Sequence, residues 1–157
     1  MKTIILFLIS FNLFSSQVFF IPDESRHFLF WIKRDFRTAK NIKMISSEFS
    51  SKIIFRIVRK YLNHDEVSLK LILDKNRKSL ISQLEIYEQI EISTLSGLQN
   101  SEMNLNFIII DNIILYILSN PLTKKGLNQN YGYLIRTKDK KMIQKFNRIF
   151  KIIQKRT

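Results

Sequence analysis

Along this chain, short unbroken apolar runs alternate with longer stretches whose apolar residues recur every three or four positions, so strands and helices are expected in turn. Gln17, Val18, Phe19, Phe20 and Ile21 precede Pro22 and predict a short strand. Over residues 25–40, Phe28, Phe30, Trp31, Ile32, Phe36 and Ala39 fall near helical spacing, with Asp23 or Ser25 as N-cap. A strand over residues 41–46 follows. Ser50 or Ser51 then caps a helix in which Ile53, Ile54, Ile57, Val58, Tyr61 and Leu62 share one face. Residues 67–74 alternate at first and predict a strand buried near its end, followed by a helix over 77–89 and a strand over 90–94.

Residues 95–103 read as a polar connection containing Gly97. Two apolar runs, 104–110 and 113–118, are separated by Asp111 and Asn112, which is a tight hairpin signal and makes them candidate central strands. A further strand is expected over 131–136, with Tyr131 and Tyr133 packing as alternating strand residues rather than lining a groove. Asp139 opens the last helix, where Met142, Ile143, Phe146, Ile149, Phe150 and Ile153 form one apolar face. This alternation predicts an α/β fold, a mixed-sheet sandwich flanked by helices. At 157 residues, 45% hydrophobic and 25% charged, the chain suits one folded domain rather than two or a disordered segment.

The N-terminus changes that picture only at its edge. Lys2, the apolar run from Ile4 to Ile9, Phe11, Leu13, Phe14 and the pair Ser15-Ser16 have the form of a secretory signal peptide, giving residues 1–16 to export and 17–157 to the domain. An uncleaved anchor is the competing reading, because Leu13 and Phe14 sit where cleavage prefers small residues. Either way the expected location is exported, periplasmic or secreted. The run is short for a membrane span, which needs about 20 apolar residues. The absence of cysteine fits export without disulfides and excludes thiolate metal sites and cysteine nucleophiles.

Charge adds a partner class. Lys and Arg outnumber Asp and Glu by 26 to 13, a net charge of +13, and the excess is clustered. Residues 124–157 hold eleven basic side chains against Asp139 alone, and residues 33–60 hold nine against Asp35 and Glu48. Such fields favour polyanions, either nucleic acid or anionic lipid head groups, although a basic surface can also serve solubility alone.

The candidate chemistry lies in Asn104-Leu105-Asn106-Phe107-Ile108-Ile109-Ile110-Asp111, then six residues, then Leu118-Ser119-Asn120-Pro121. That spacing resembles the phospholipase D superfamily frame His-x-Lys-x4-Asp, six residues, Gly-Ser-x-Asn. The resemblance extends to residues 17–22, 39–46, 69–74, 128–135 and 139–153, and the length resembles the small one-motif members, exported nucleases among them. It implies a phospholipase D-like sandwich and a homodimer in which two motifs meet. It also implies a histidine that attacks phosphorus, its counterpart protonating the leaving oxygen, and lysine, hydroxyl and amide groups holding the phosphate. Carried over, the histidine falls on Asn104, the lysine on Asn106, the aspartate on Asp111, the glycine on Leu118, the serine on Ser119 and the asparagine on Pro121. Thr123 and Asn130 match family positions, and Gly132 stands where a glutamate is usual.

Only Asp111, Ser119, Thr123 and Asn130 therefore keep the family's residue types, and Ser119, Thr123 and Asn130 are the candidate phosphate ligands. An amide nitrogen is not basic, so Asn104 cannot act as nucleophile or general acid. Asp111 has a plain alternative as a turn residue, and Ser119 and Thr123 as caps of a short helix after Pro121. His27 and His64 lack the lysine two positions on and the strand setting, so surface positions are expected for both. No zinc-protease, phosphate-loop or Ser-His-Asp frame is present, and no cofactor or metal is implied. Two functions follow: a degenerate, catalytically inactive or impaired homologue that binds phosphate-containing polyanions, or an active phosphodiesterase of nuclease or phospholipase type using non-standard residues or a partner subunit.

Overall fold

The computed structural model describes residues 16–62, 67–74, 83–95 and 103–157. The described strands are β1 (Gln17–Ile21), β2 (Asn41–Ser46), β3 (Ser68–Asp74), β4 (Ile90–Leu95), β5 (Phe107–Ile110), β6 (Ile114–Leu118) and β7 (Gly132–Thr137). They form one seven-stranded sheet in the order β1-β7-β6-β5-β2-β3-β4. Pairing is parallel for β2-β3 and β3-β4 and antiparallel elsewhere, so β5 and β6 are interior, as their apolar runs require.

Period-two alternation divides the apolar residues between two faces. Phe28, Ile32 and Phe36 of α1 (Ser25–Phe36) and Ile54, Val58 and Leu62 of α2 (Lys52–Leu62) pack on Met44, Leu71, Ile108 and Tyr116. On the other face, Ile143, Phe150 and Ile153 of α4 (Lys140–Gln154) cover Ile45, Ile72, Phe107, Ile109 and Leu115. Asp139 caps α4, its Oδ1 accepting from the N–H groups of Lys141 and Met142 at 2.7 and 3.0 Å. The short α3 (Lys124–Asn128) sits between β6 and β7.

Three details depart from the sequence reading. Helix α1 ends at Phe36 rather than residue 40, because the chain turns there, with Ala39 N–H on Phe36 O, to enter β2. Its N-cap is Glu24, not Asp23 or Ser25; the Ser25 hydroxyl instead lies within hydrogen-bond reach of the carbonyls of Pro22 and Leu127, to one of which its single proton is donated. Residues 83–89 form turns rather than the end of a helix over 77–89, and the earlier part of that helix lies outside the described residues, as do His64, Gly97 and residues 1–15 of the export segment.

A buried polar group joins α1 to the sheet. Arg136 on β7 donates from Nε and Nη2 to the two Asp35 oxygens at 2.7 and 3.0 Å, and the Tyr116 hydroxyl donates to the same carboxylate. Burial, reinforced by Asp35, pushes the Tyr116 hydroxyl well above the usual tyrosine range. For Arg136 burial is the largest single influence and acts against the charge, but the hydrogen bonds and charge of Asp35, together with Tyr116, outweigh it and the net displacement is upward.

Candidate functional site

Strands β2 and β6 end, and β5 and β7 begin, at the same edge of the sheet, which brings the distant parts of the motif frame together. Asn104 lies exposed before β5, while Asn106 is 5% exposed. The Asn106 backbone carbonyl accepts from Leu118 N–H at 2.9 Å, placing it beside the end of β6. Its side-chain Oδ1 accepts from the Ser47 N–H at 3.0 Å, with the hydroxyls of Ser46 and Ser47 at 3.0 and 3.3 Å. A backbone N–H can only donate, so the amide oxygen faces Ser47 and the position is built around an acceptor. Ser46 in turn accepts from Leu122 N–H at 3.2 Å, tying β2 to the segment after β6.

Ser119 is exposed, and its Oγ accepts from Tyr133 N–H at 2.8 Å, leaving the hydroxyl proton available to an outside acceptor. Asn120 Nδ2 donates to Gly126 O at 3.1 Å and lies 3.4 Å from the carbonyls of Asn130 and Tyr131, holding the turn into β7. Gly132 is enclosed by these two residues. A Cβ there would stand 2.4 Å from both Asn120 Nδ2 and Ser119 Oγ, so any larger residue would require these two side chains to shift. Asn130 is exposed nearby, and its N–H donates to Lys125 O at 3.0 Å, which places the exposed Lys124 and Lys125 at this edge.

Two of the sequence candidates have other work. Thr123 is buried, and its Oγ1 caps α3 by accepting from Gly126 N–H at 2.7 Å, the capping alternative left open by the sequence. Asp111 lies at the opposite end of β5, five residues or roughly 17 Å of strand from Asn106. Its Oδ1 accepts from the N–H groups of Lys40 and Asn41 at 2.9 and 2.7 Å, and Asp111 and Asn112 take φ of 51° and 54°, the turn geometry of a tight hairpin. It therefore closes the β5-β6 turn onto β2. Tyr131 and Tyr133 are 88% and 49% exposed, contrary to the expectation that they pack, because α4 covers β5 and β6 and leaves this side of the face open. Motif spacing does not single out Ser46, Ser47 or Asn120; the family resemblance over residues 39–46 is the one signal that reaches Ser46. Among the described residues no group of acidic, histidine or cysteine side chains could hold a metal ion.

The family described as cardiolipin synthase, PLD-like domain, matches residues 34–153. This chain belongs to the phospholipase D-like family. No curated protein matches the sequence. Among solved structures it is similar to NucT from Helicobacter pylori, with a TM-score of 0.81 and 24% identity over 91% of this chain and 97% of that one. It is likewise similar to Nuc from Salmonella typhimurium, described as a phospholipase D family member, with a TM-score of 0.74 and 18% identity over 91% and 95% of the two chains. TrmBL2, described as an archaeal chromatin protein with a novel mode of DNA binding, has a TM-score of 0.63 and 19% identity, covering 94% of this chain and 55% of that one. At these identities the likeness shows the fold. The expected phospholipase D-like α/β sandwich is thus the observed one.

Proposed function

We propose that this chain is a phospholipase D-like protein that binds phosphate-containing polyanions at the strand-end site without cleaving them, as a homodimer. The observation that carries the reading is Asn106. In the position that the family gives to a phosphate-holding lysine, its amide oxygen is taken up by Ser47 N–H and faces two serine hydroxyls. Asn104 offers no basic nitrogen where the family's nucleophile stands, and loss of a nucleophile costs on the order of 10⁶ in rate, about 8 kcal/mol of barrier. Gly132, packed against Ser119 and Asn120 where the family carries a glutamate, supports the same reading. What the edge retains suits binding: the Ser119 hydroxyl, the exposed Asn130 amide, and the cations of Lys124 and Lys125.

The homodimer is supported by the open side of the sheet. Val18, Phe20 and Tyr133 are exposed on the face that α4 leaves uncovered, next to Ser119, and a second copy covering them would bring two strand-end sites close. The apolar N-terminal run supports an exported location, where nucleic acid or anionic lipid would be met outside the cytoplasm.

Equilibrium binding tests the proposal. The full chain is titrated into labelled single-stranded DNA and, separately, into phosphatidylglycerol vesicles. At least one should bind with an affinity that falls steeply with salt, be recovered chemically intact, and bind more weakly to Ser119→Ala/Asn130→Ala. Cleavage of the recovered DNA or lipid, or unchanged affinity in the double variant, contradicts the reading.

A further inference from the structure

A second basic surface lies away from the strand-end site, in the furrow between α1 and α2. One part, about 350 Å³, is lined by Lys33, Ile53, Arg56, Ile57, Lys60 and Tyr61. An adjoining part, about 330 Å³, shares Lys33 and Tyr61 and adds Phe30, Arg34 and Arg37. Sharing those two residues, the parts adjoin as a trough with cations on both walls and no acidic side chain among the described lining residues. Asp35, the one acid of α1, is turned inward onto Arg136, and α2 has none. Helix polarity accounts for cations in the last turns, Lys33 and Arg34 on α1 and Lys60 on α2, but not for Arg56 a turn earlier or for an aromatic rim. Phe30 is 62% exposed at that rim, edge-on to Trp31 at 5.9 Å, and the Arg34 guanidinium lies 4.7 Å over the indole.

From this arrangement we infer that the α1-α2 trough is a docking surface for single-stranded nucleic acid, with Lys33, Arg56 and Lys60 on the phosphates and Phe30 as a stacking platform for a base. Two cationic walls around a concave floor follow a flexible phosphodiester backbone, and an exposed ring beside them meets unpaired bases. A membrane surface is flat and is met by protruding basic and apolar groups, so the concavity favours the strand. The inference is independent of the strand-end reading. The C-terminal turns of α1 and α2 lead into the starts of β2 and β3, the Asp111 end of the sheet, whereas Ser119 and Asn106 lie at the other end.

The test is fluorescence anisotropy of a labelled oligothymidylate of about twenty nucleotides with the full chain, across roughly 50 to 200 mM salt. Lys33→Gln/Arg56→Gln/Lys60→Gln should weaken binding at least about tenfold and lower the salt slope by about 2, at roughly 0.7 per phosphate contact. Lys141→Gln/Lys145→Gln/Lys155→Gln on α4 removes the same charge and should change affinity less than about threefold, since bulk charge acts weakly beyond a Debye length. Phe30→Ala, a change at an exposed position, should weaken binding about tenfold with the salt slope kept. Equal losses in the two triple variants, or no loss in the trough variant, overturn the inference. Trough-dependent binding to phosphatidylglycerol vesicles with none to the oligothymidylate overturns it in favour of a membrane. Ser119→Ala/Asn130→Ala in the same assay separates the two surfaces: failure of the strand-end reading leaves the trough's dependence on Lys33, Arg56 and Lys60 intact.

Discussion

Asn106 shows how a substituted motif position becomes part of the scaffold. Its oxygen answers Ser47 N–H, and a lysine placed there brings donors against a donor. Asn106→Lys should therefore cost about 1–3 kcal/mol of unfolding free energy in urea titration, because the part-buried Ser47 N–H loses its acceptor and the buried position takes a charge. An undiminished midpoint would show that the position still accepts the family residue. Tyr116 carries a pH signature. It stays protonated when folded, whereas an unfolded tyrosine ionises near 10.0. Above that pH the folded state holds the extra proton, so stability falls as pH rises, by up to about 1.4 kcal/mol per unit. Urea midpoints of the natural protein should drop more steeply above about pH 10 than those of Tyr116→Phe, and parallel curves would contradict this. Residue identities were legible in the sequence, and so was the chemistry that Asn104 and Asn106 lack. Their partners were not: Ser46 and Ser47 come from another strand, and the Asp35-Arg136 pair joins α1 to β7 across the core, so no local spacing announces either.

Among the elements, those with strong period lie close to where their pattern places them. β1 and β2 run over the expected residues, and the Asp111-Asn112 hairpin and the Asp139 cap are in place, since turn chemistry and alternation act locally. Departures from the pattern lie where tertiary packing decides. The end of α1 is set by the approach to β2, Tyr133 faces outward because α4 does not reach β7, and residues 83–89 turn to feed β4. Asp111, which the motif frame alone would place among site residues, works at this scale as the clasp between the β5-β6 turn and β2. Asp111→Ala should cost about 1–3 kcal/mol, because two N–H groups lose their acceptor, while Asp111→Asn keeps an acceptor oxygen and a side chain tolerant of positive φ and loses less. Urea midpoints of the two variants measure this directly; equal losses would place the effect in charge rather than hydrogen bonding.

For the whole molecule, a phospholipase D-like sheet carries a strand-end edge with hydroxyl, amide and lysine groups, a separate basic trough between α1 and α2, and a net charge of +13. Under the proposed function this scaffold holds phosphodiesters and does not break them. The most direct measurement is turnover of a chromogenic phosphodiester by the full natural chain at concentrations that allow self-association, beside Ser119→Ala. Under that function no release above the uncatalysed background is expected from either protein. Release by the natural chain that Ser119→Ala abolishes would contradict it and place a working nucleophile at the strand-end site.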